Sequence, residues 1–357
     1  MLQINRPWLP SVSEIEGDLK KIFSSGIITS GSYVKEFEER IGEYVGKEAI
    51  CLSSCTNGLI LLIKALDLSG SVIIPSFTFP ATAIPLLWCG IEPIFIDCLE
   101  GTFCIDPEKV KEAIREDTSG ILAVYTFGNP PDMDRLQEIA DKNGLCLIFD
   151  SAQGFGSVYK GKKAGNFGRA EVFSLSPTKL VSAQEGGVIL TDNSELARKL
   201  RCMRDYGRDG ENFPYLGMNA RMTEINAVIG IKSLATLDER IAKIKRLVHR
   251  YKENLSGLKF QEETGEAISN YNYIGLRLQN RDRVWSGLLE KGIETKKYFY
   301  PPVHKQPLYK STAVLPVTEM LSREVLCLPL HSYLSEKEVD KICRELYQVA
   351  IKNKIWR

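Results

Sequence analysis

The sequence predicts an α/β fold built on a mainly parallel sheet, and two observations support that prediction. Short apolar runs recur as far as about residue 235, and segments with helical spacing separate them. This alternation is typical of strand–helix–strand crossovers, which make parallel sheets covered on both faces. The predicted strands are 71–74, 94–97, 121–125, 145–150 and 188–191, and the predicted helices between them include 107–115 and 134–143.

A second unit is predicted after this region. The stretch 234–258 is long, charged and periodic, as expected for a helix that connects two domains. A strand at 271–278 and a helix at 281–291 follow it, and a last helix is predicted at 336–351. We therefore predict a large domain at 1–235 and a small C-terminal α+β domain at 236–357.

Ser335 and Glu338 predict how that last helix begins. Their spacing is that of a capping box, in which a serine and a glutamate three residues later satisfy each other's backbone N–H groups.

The charge balance excludes some classes of partner. Lys and Arg number 46 against 45 Asp and Glu, so the formal net charge is +1. This gives no electrostatic reason to expect nucleic acid or an anionic membrane as the main partner. The amino terminus carries no signal-peptide pattern, and no apolar run is long enough to span a bilayer. We expect a cytoplasmic protein.

The nine cysteines predict neither a metal site nor a disulfide framework. They form no C-x-x-C pair and no zinc-ligand spacing, and their number is odd. Several lie inside apolar runs, where a free thiol acts as a small hydrophobic side chain. Reduced cysteines are expected.

Asp150 and Lys179 are the residues that suggest catalysis. Asp150 ends an apolar strand, and Lys179 follows about thirty residues later in a polar loop. Pyridoxal phosphate (PLP) chemistry needs a lysine for a Schiff base and an acid that pairs with the pyridinium nitrogen. Gln153 could donate to the ring hydroxyl. Taken singly, Asp150 could also be an N-cap or turn aspartate, and Lys179 could be a solvated surface lysine.

Other segments could hold the phosphate and the ring. The polar segment 53–58 precedes an apolar helix, whose first N–H groups could bind an anion, although a plain capped helix gives the same pattern. Phe79 follows a strand and could stack on a flat ring, or it could be a core phenylalanine. Hydroxyl groups precede the lysine at Ser174, Ser176 and Thr178, and Gly186-Gly187 predicts a tight turn into the next strand.

With these segments in place, the chain resembles the DegT/DnrJ/StrS family of PLP-dependent sugar aminotransferases. The resemblance runs almost from end to end. Its segments are 26–31 (GIITSG), 75–79 (PSFTF), 93–97 (PIFID), 150–153 (DSAQ), 174–179 (SLSPTK), 185–187 (EGG), 217–222 (GMNARM), 300–302 (YPP) and 328–331 (LPLH). It implies the aspartate-aminotransferase-like fold (fold type I), with a seven-stranded sheet in the large domain.

The resemblance also implies roles for matching residues. Lys179 would be the catalytic Schiff-base lysine, and a homodimer would place its active sites at the subunit interface. The implied cofactor contacts are Cys55, Thr56 and Ser174 at the phosphate, with Asn219 of a second subunit, and Phe79, Asp150 and Gln153 at the ring. Tyr300 and His304 are the implied substrate contacts.

The implied reaction moves an amino group from L-glutamate to the keto-sugar of a nucleoside-diphosphate sugar by a ping-pong mechanism. The sugar would be a 4-keto-6-deoxy or a 3-keto hexose, in amino-sugar biosynthesis such as that of lipopolysaccharide O-antigen. Alternatives are a PLP-dependent sugar dehydratase, an aminocyclitol-forming aminotransferase and a non-catalytic regulatory member of the fold. The dehydratases of the family carry histidine in place of the lysine, so Lys179 disfavours that alternative.

Overall fold

A seven-stranded sheet forms the centre of the large domain. The computed structural model of the protein describes residues 1–352. Strand order in the sheet is β1-β9-β8-β5-β4-β2-β3. The first nine strands of the chain are β1 Glu48–Leu52, β2 Ser71–Pro75, β3 Glu92–Ile96, β4 Thr118–Val124, β5 Cys146–Asp150, β6 Val158–Tyr159, β7 Lys162–Lys163, β8 Ala170–Ser174 and β9 Gly187–Thr191.

The sheet is mainly parallel, which confirms the predicted fold class. The pairs β2–β3, β2–β4, β4–β5 and β5–β8 are parallel, and β9 runs antiparallel to both β8 and β1. Asp150 is in register with Val124 on one side and with Val172 on the other. The carboxyl ends of β4, β5 and β8 therefore meet at one edge, where parallel sheets bind their ligands.

Helices cover both faces of this sheet. Alternate residues of β5 enter different apolar clusters, with Leu147 and Phe149 in one and Ile148 in the other. Helices α2, α6 and α8 supply the first cluster, and α3, α4 and α7 supply the second. The bounds are α1 Val12–Ser25, α2 Ser32–Val45, α3 Cys55–Ala65, α4 Pro80–Trp88, α5 Pro107–Ala113, α6 Met133–Asn143, α7 Ser194–Met203 and α8 Glu224–Ala235.

The small domain has its own sheet and its own apolar cluster. Its antiparallel sheet has the order β10-β12-β13, and α9, α10 and α12 contribute to the cluster that packs against it. The remaining elements are α9 Leu237–Asn254, β10 Lys259–Phe260, β11 Ala267–Ile268, β12 Ile274–Arg277, α10 Arg281–Glu290, α11 Pro316–Glu324, β13 Val325–Leu328 and α12 Glu336–Lys352, with a short 3₁₀ turn at Val303–Lys305.

The predicted connecting helix 234–258 is in fact two helices. Helix α8 ends at Ala235 and α9 begins at Leu237, with Thr236 between them. Helix α8 has no amphipathic pattern because most of its residues are buried. The final helix begins as predicted: Ser335 Oγ accepts a hydrogen bond from the Glu338 N–H (3.3 Å), and Glu338 Oε2 accepts one from the Ser335 N–H (2.8 Å).

Several segments cross the division predicted at residue 235, which stays a prediction. Near the amino terminus, Leu2 forms a bridge with Ile293 of the small domain. In the opposite direction, β11 pairs with β6, which belongs to the large domain. Among residues 1–352, no helix combines the length and apolar character needed to cross a membrane.

Candidate active site

A cavity of about 370 Å³ opens where β4, β5 and β8 end. Its lining includes every residue that the sequence analysis assigned to cofactor contacts within one subunit. These residues come from the start of α3, the start of α4, the end of β5, the end of β8 and the loop after β8; they are Cys55, Thr56, Phe79, Asp150, Gln153, Ser174 and Lys179.

Asp150 is a buried acid with two hydrogen-bond donors. Its Oδ2 accepts a bond from Thr82 Oγ1 (2.6 Å), and its Oδ1 accepts one from the Ala152 N–H (3.1 Å). The residue is 5% exposed. Burial raises the pKa of the Asp150 carboxyl, against the hydrogen bonds from Thr82 and Ala152 and the positive charge of Lys179. A cation that met this carboxylate in the cavity would relieve the cost of its burial.

Lys179 lies in the loop after β8, and its backbone N–H donates to Ser176 O at 3.0 Å. Burial lowers the pKa of the Lys179 amine, while Cys55 and Asp150 act in the opposite direction. A lowered pKa increases the fraction of neutral amine at neutral pH, and the neutral amine is the nucleophilic and proton-accepting form.

The side-chain amide of Gln153 is oriented by the backbone. Its Oε1 accepts a hydrogen bond from the Phe127 N–H at 2.7 Å. The amide NH₂ group is therefore the part of Gln153 that remains to donate to a bound molecule.

The first turn of α3 lines the cavity and presents backbone N–H groups that can bind an anion. Ser54 caps the helix, because its Oγ accepts a hydrogen bond from the Asn57 N–H (3.1 Å). The N–H groups of Cys55 and Thr56 precede the helical hydrogen-bond pattern and have no partner within the helix. Cys55 Sγ lies 3.9 Å from Val172 O, so its thiol is directed to β8.

Gly187 allows this turn to pack against the sheet. A Cβ atom at Gly187 would lie 2.5 Å from Cys55 N and 2.6 Å from Ser54 O, too close for any other residue type. The tight turn predicted from Gly186-Gly187 is not made by these two residues: the positive φ of the segment belongs to Gln184, at 64°. The glycines serve close packing, since Gly186 likewise faces Met222.

Phe79 also lines the cavity and has an exposed ring. It is the N-cap residue of α4, and Pro80 occupies the first turn. The side chain is 55% exposed although it lines the cavity. An aromatic face left open to solvent in a cavity is available to stack on a flat ligand.

Asn219, Tyr300 and His304 are not part of the cavity lining. Asn219 is exposed, and its Oδ1 accepts a bond from Arg221 Nε (3.2 Å). Tyr300 is half exposed, and its ring faces the Arg281 guanidinium at 5.4 Å. Tyr300 follows directly after Tyr298 and Phe299, which do line the cavity.

His304 is a buried histidine with both ring nitrogens engaged. Its Nδ1 lies 2.6 Å from Ser76 Oγ, and its Nε2 lies 3.3 Å from Glu319 Oε1. Nε2–H donates to the carboxylate, so Nδ1 accepts from the serine hydroxyl. Burial lowers the pKa of His304, against the effect of the hydrogen bond that His304 donates to Glu319. This geometry favours a packing role over the substrate contact that the resemblance implies.

The sequence analysis did not identify all the cavity residues. It missed the hydrogen bond from Thr82 to Asp150, although Thr78 and Thr82 are four residues apart and their hydroxyls lie 2.8 Å from each other. It also missed Tyr273 and Tyr298, which reach the cavity from the small domain. No local pattern marks these tyrosines, because only the packing of the two domains brings them to the site.

Comparison with known proteins gives a consistent result. Residues 11–347 match the DegT/DnrJ/EryC1/StrS aminotransferase family. GDP-perosamine synthase of Caulobacter vibrioides is 32% identical, over 91% of this chain and 92% of that protein. UDP-2-acetamido-2-deoxy-3-oxo-D-glucuronate aminotransferase of Pseudomonas aeruginosa is 30% identical, over 93% of this chain and 95% of that protein.

A solved structure shows the same fold. The crystal structure of DesI in the presence of its TDP-sugar product superposes with a TM-score of 0.94 at 33% identity, covering 99% of this chain and 94% of DesI. The family match extends over nearly all of the sequence, and the matched proteins share its length. The chain is therefore an enzyme that belongs to the DegT/DnrJ/EryC1/StrS aminotransferase family.

Proposed function

We propose that this aminotransferase uses PLP to move an amino group from L-glutamate to the keto-sugar of a nucleoside-diphosphate sugar. The observation that carries the proposal is the meeting of Asp150, Lys179 and the first turn of α3 in one cavity. An acid, an amine and an anion-binding helix end are the three groups that PLP requires.

The donor set of the cavity fits PLP. The Asp150 carboxylate is buried with two donors, and the charged N–H of a pyridinium ring would be a cationic partner for it. The turn at Cys55 and Thr56, with Ser174, would hold the phosphate, and Phe79 would stack on the ring. Gln153 would donate to the ring hydroxyl from its free NH₂ group.

When bound, PLP supplies an electron sink that acidifies the Cα–H of an amino acid and an aldehyde carbon that carries the amino group. The Lys179 amine would accept the proton from the substrate Cα and then donate it, since burial lowers the pKa of this amine and so increases its proton-accepting fraction. The Asp150 carboxylate would pair with the ring nitrogen and favour its protonated form.

The relatives support a nucleotide sugar as the amino acceptor without selecting one. Their names specify a GDP-sugar, a UDP-linked 3-oxo sugar and a TDP-sugar at almost equal identity to this chain. We propose a 4-keto-6-deoxy or a 3-keto hexose as the acceptor. The exposed position of Asn219 outside its own cavity supports a homodimer in which it completes the neighbouring site.

Half-reactions followed by absorption spectroscopy test this proposal. L-glutamate should bleach the visible band of the PLP-loaded protein, and one member of a panel of GDP-, UDP- and TDP-linked 3-keto and 4-keto sugars should restore it. A panel of free inososes serves as the comparison for an aminocyclitol-forming enzyme. Restoration by an inosose but by no nucleotide sugar would overturn the acceptor class, and absence of the band in the loaded wild type would overturn the use of PLP.

Substitution of His304 distinguishes a packing role from a role in substrate contact. We expect His304→Ala to lower the free energy of unfolding by about 2 kcal/mol, because Ser76 Oγ and Glu319 lose a buried partner. His304→Asn should retain much of that stability, since its Oδ1 can replace Nδ1 as the acceptor from Ser76. In both variants the KM for the sugar nucleotide should change less than about twofold. A KM raised tenfold with unchanged thermal stability would instead show direct contact.

A further inference from the structure

The backbone carbonyls of the two residues next to Lys179, Thr178 and Leu180, are held by side chains from distant parts of the chain. Thr178 O accepts a hydrogen bond from Asn5 Nδ2 at 3.2 Å. Leu180 O accepts one from Arg240 Nη1. Asn5 lies in the N-terminal segment and Arg240 in α9, so neither contact is local to the loop that carries the lysine.

Arg240 is a buried cation held by neutral groups. Besides Leu180 O, its guanidinium donates to Ser233 O and to Ser233 Oγ (3.2 Å), and its Nε donates to Thr236 Oγ1 (3.1 Å). The ring centroid of Trp8 lies 5.2 Å from it. Within residues 1–352, no carboxylate lies at ion-pair distance from this arginine. The planar guanidinium donates to two carbonyls at once, Leu180 O in the loop and Ser233 O in α8. A lysine amine would hold this geometry less well.

Ser233 holds the loop at a later residue, Ser182. Its Oγ accepts a hydrogen bond from the Ser182 N–H at 3.1 Å and is also a contact of Arg240. Within the loop, the Ala183 N–H donates to Leu175 O at 2.8 Å. The segment 178–183 is therefore attached to the junction of α8 and α9.

The N-terminal segment is itself anchored to the small domain. Leu330 N–H donates to Ile4 O at 3.0 Å, and the Ile4 N–H donates to Glu294 Oε2 at 3.2 Å. Asn5 thus reaches Thr178 from a fixed backbone. The residues of this segment precede position 11, where the family match begins.

We propose that Asn5 and Arg240 are positioning residues for Lys179, forming a clamp that holds the backbone carbonyls of the residues before and after it, Thr178 and Leu180. A lysine side chain has four flexible methylene groups, so its amine can occupy many positions. A fixed backbone limits these positions and helps the amine to meet the reacting carbon in one geometry. The inference rests on the proposed function, because it takes Lys179 to be the residue that moves the proton.

The clamp is tested with Asn5→Ala, Arg240→Gln and Arg240→Lys, and with Arg246→Gln as the matched control on an exposed position of α9. Arg240→Gln should lower kcat about tenfold, with the KM for L-glutamate changed less than about twofold, since displacement of a catalytic group acts on the chemical step. Arg240→Lys should recover part of kcat. Asn5→Ala, which leaves the buried arginine intact, should lower kcat severalfold, and Arg246→Gln should not change it.

Hydrogen exchange of the PLP-free protein gives a readout that does not depend on activity. We expect the amides of residues 179–183 to exchange faster in Arg240→Gln and Asn5→Ala than in wild type and in the control. Unchanged exchange and kcat in both variants, with only a lowered melting temperature for Arg240→Gln, would overturn the clamp and leave a structural arginine. Wild-type protein that attaches no PLP at Lys179 would overturn the proposed function instead. Faster exchange in the variants would then show that Asn5 and Arg240 hold the loop without a role in catalysis.

Discussion

Lys179→Ala is expected to lower aminotransferase turnover by at least about a thousandfold, because the variant loses both the attachment point of PLP and the group that moves the proton. The visible absorption band that PLP acquires on attachment to a lysine should also disappear. Noncovalent retention of PLP is expected, since Asp150 and the first turn of α3 are unchanged. Steady-state kinetics and the absorption spectrum measure the two effects.

The matched control for this variant is Lys341→Ala, at an exposed position of α12. It should behave as wild type in both measurements. Full aminotransferase activity of Lys179→Ala would show that another group does the chemistry, and would contradict the assignment of the lysine.

Asp150→Asn is expected to lower kcat by about a hundredfold or more, with the dissociation constant for PLP raised by much less. A neutral amide cannot stabilise positive charge on the pyridine nitrogen, and charge stabilisation of this kind contributes a few kcal/mol to a barrier. The fold should survive, because the new Oδ1 can still accept a hydrogen bond from Thr82 or from the Ala152 N–H.

Asp192→Asn is the control, since Asp192 follows strand β9 of the same sheet but is exposed and pairs with Lys47. Its kinetics should be those of wild type. If Asp150→Asn weakened PLP binding and kcat by the same factor, Asp150 would be a binding residue without a role in the chemistry.

The sequence predicted those parts of the fold and the site that have local patterns. The strands ending near Ile74, Val124 and Asp150 are continuously apolar, and burial on both faces of a parallel sheet requires that composition. Asp150 could be singled out because an acid at the end of such a strand is costly without a partner. Lys179 became significant only through its position relative to that strand.

Features that depend on tertiary packing could not be predicted. Gly187 follows a second glycine, which indicates a turn, yet its actual constraint is the backbone of Ser54 and Cys55 across the sheet edge. His304 lies in a segment that resembles a substrate contact, and only the positions of Ser76 and Glu319 show that it is fully bonded.

The clamp on the lysine loop is the clearest case. Arg240 lies on the apolar face of a periodic helix, three residues after Leu237 and four before Ile244, but this spacing does not reveal which groups its guanidinium bonds. Its role depends on the break between α8 and α9, which places the guanidinium beside Leu180 O. Long-range contacts of this kind follow from the folded structure alone.

Borohydride reduction of the PLP-loaded protein, followed by peptide mass spectrometry, tests the central claim most directly. Reduction fixes PLP to whichever lysine carries it. We expect a single modified peptide with the added mass on Lys179, in wild type and in Asp150→Asn alike. Modification at a different lysine, or none in a protein that catalyses amino transfer, would contradict it.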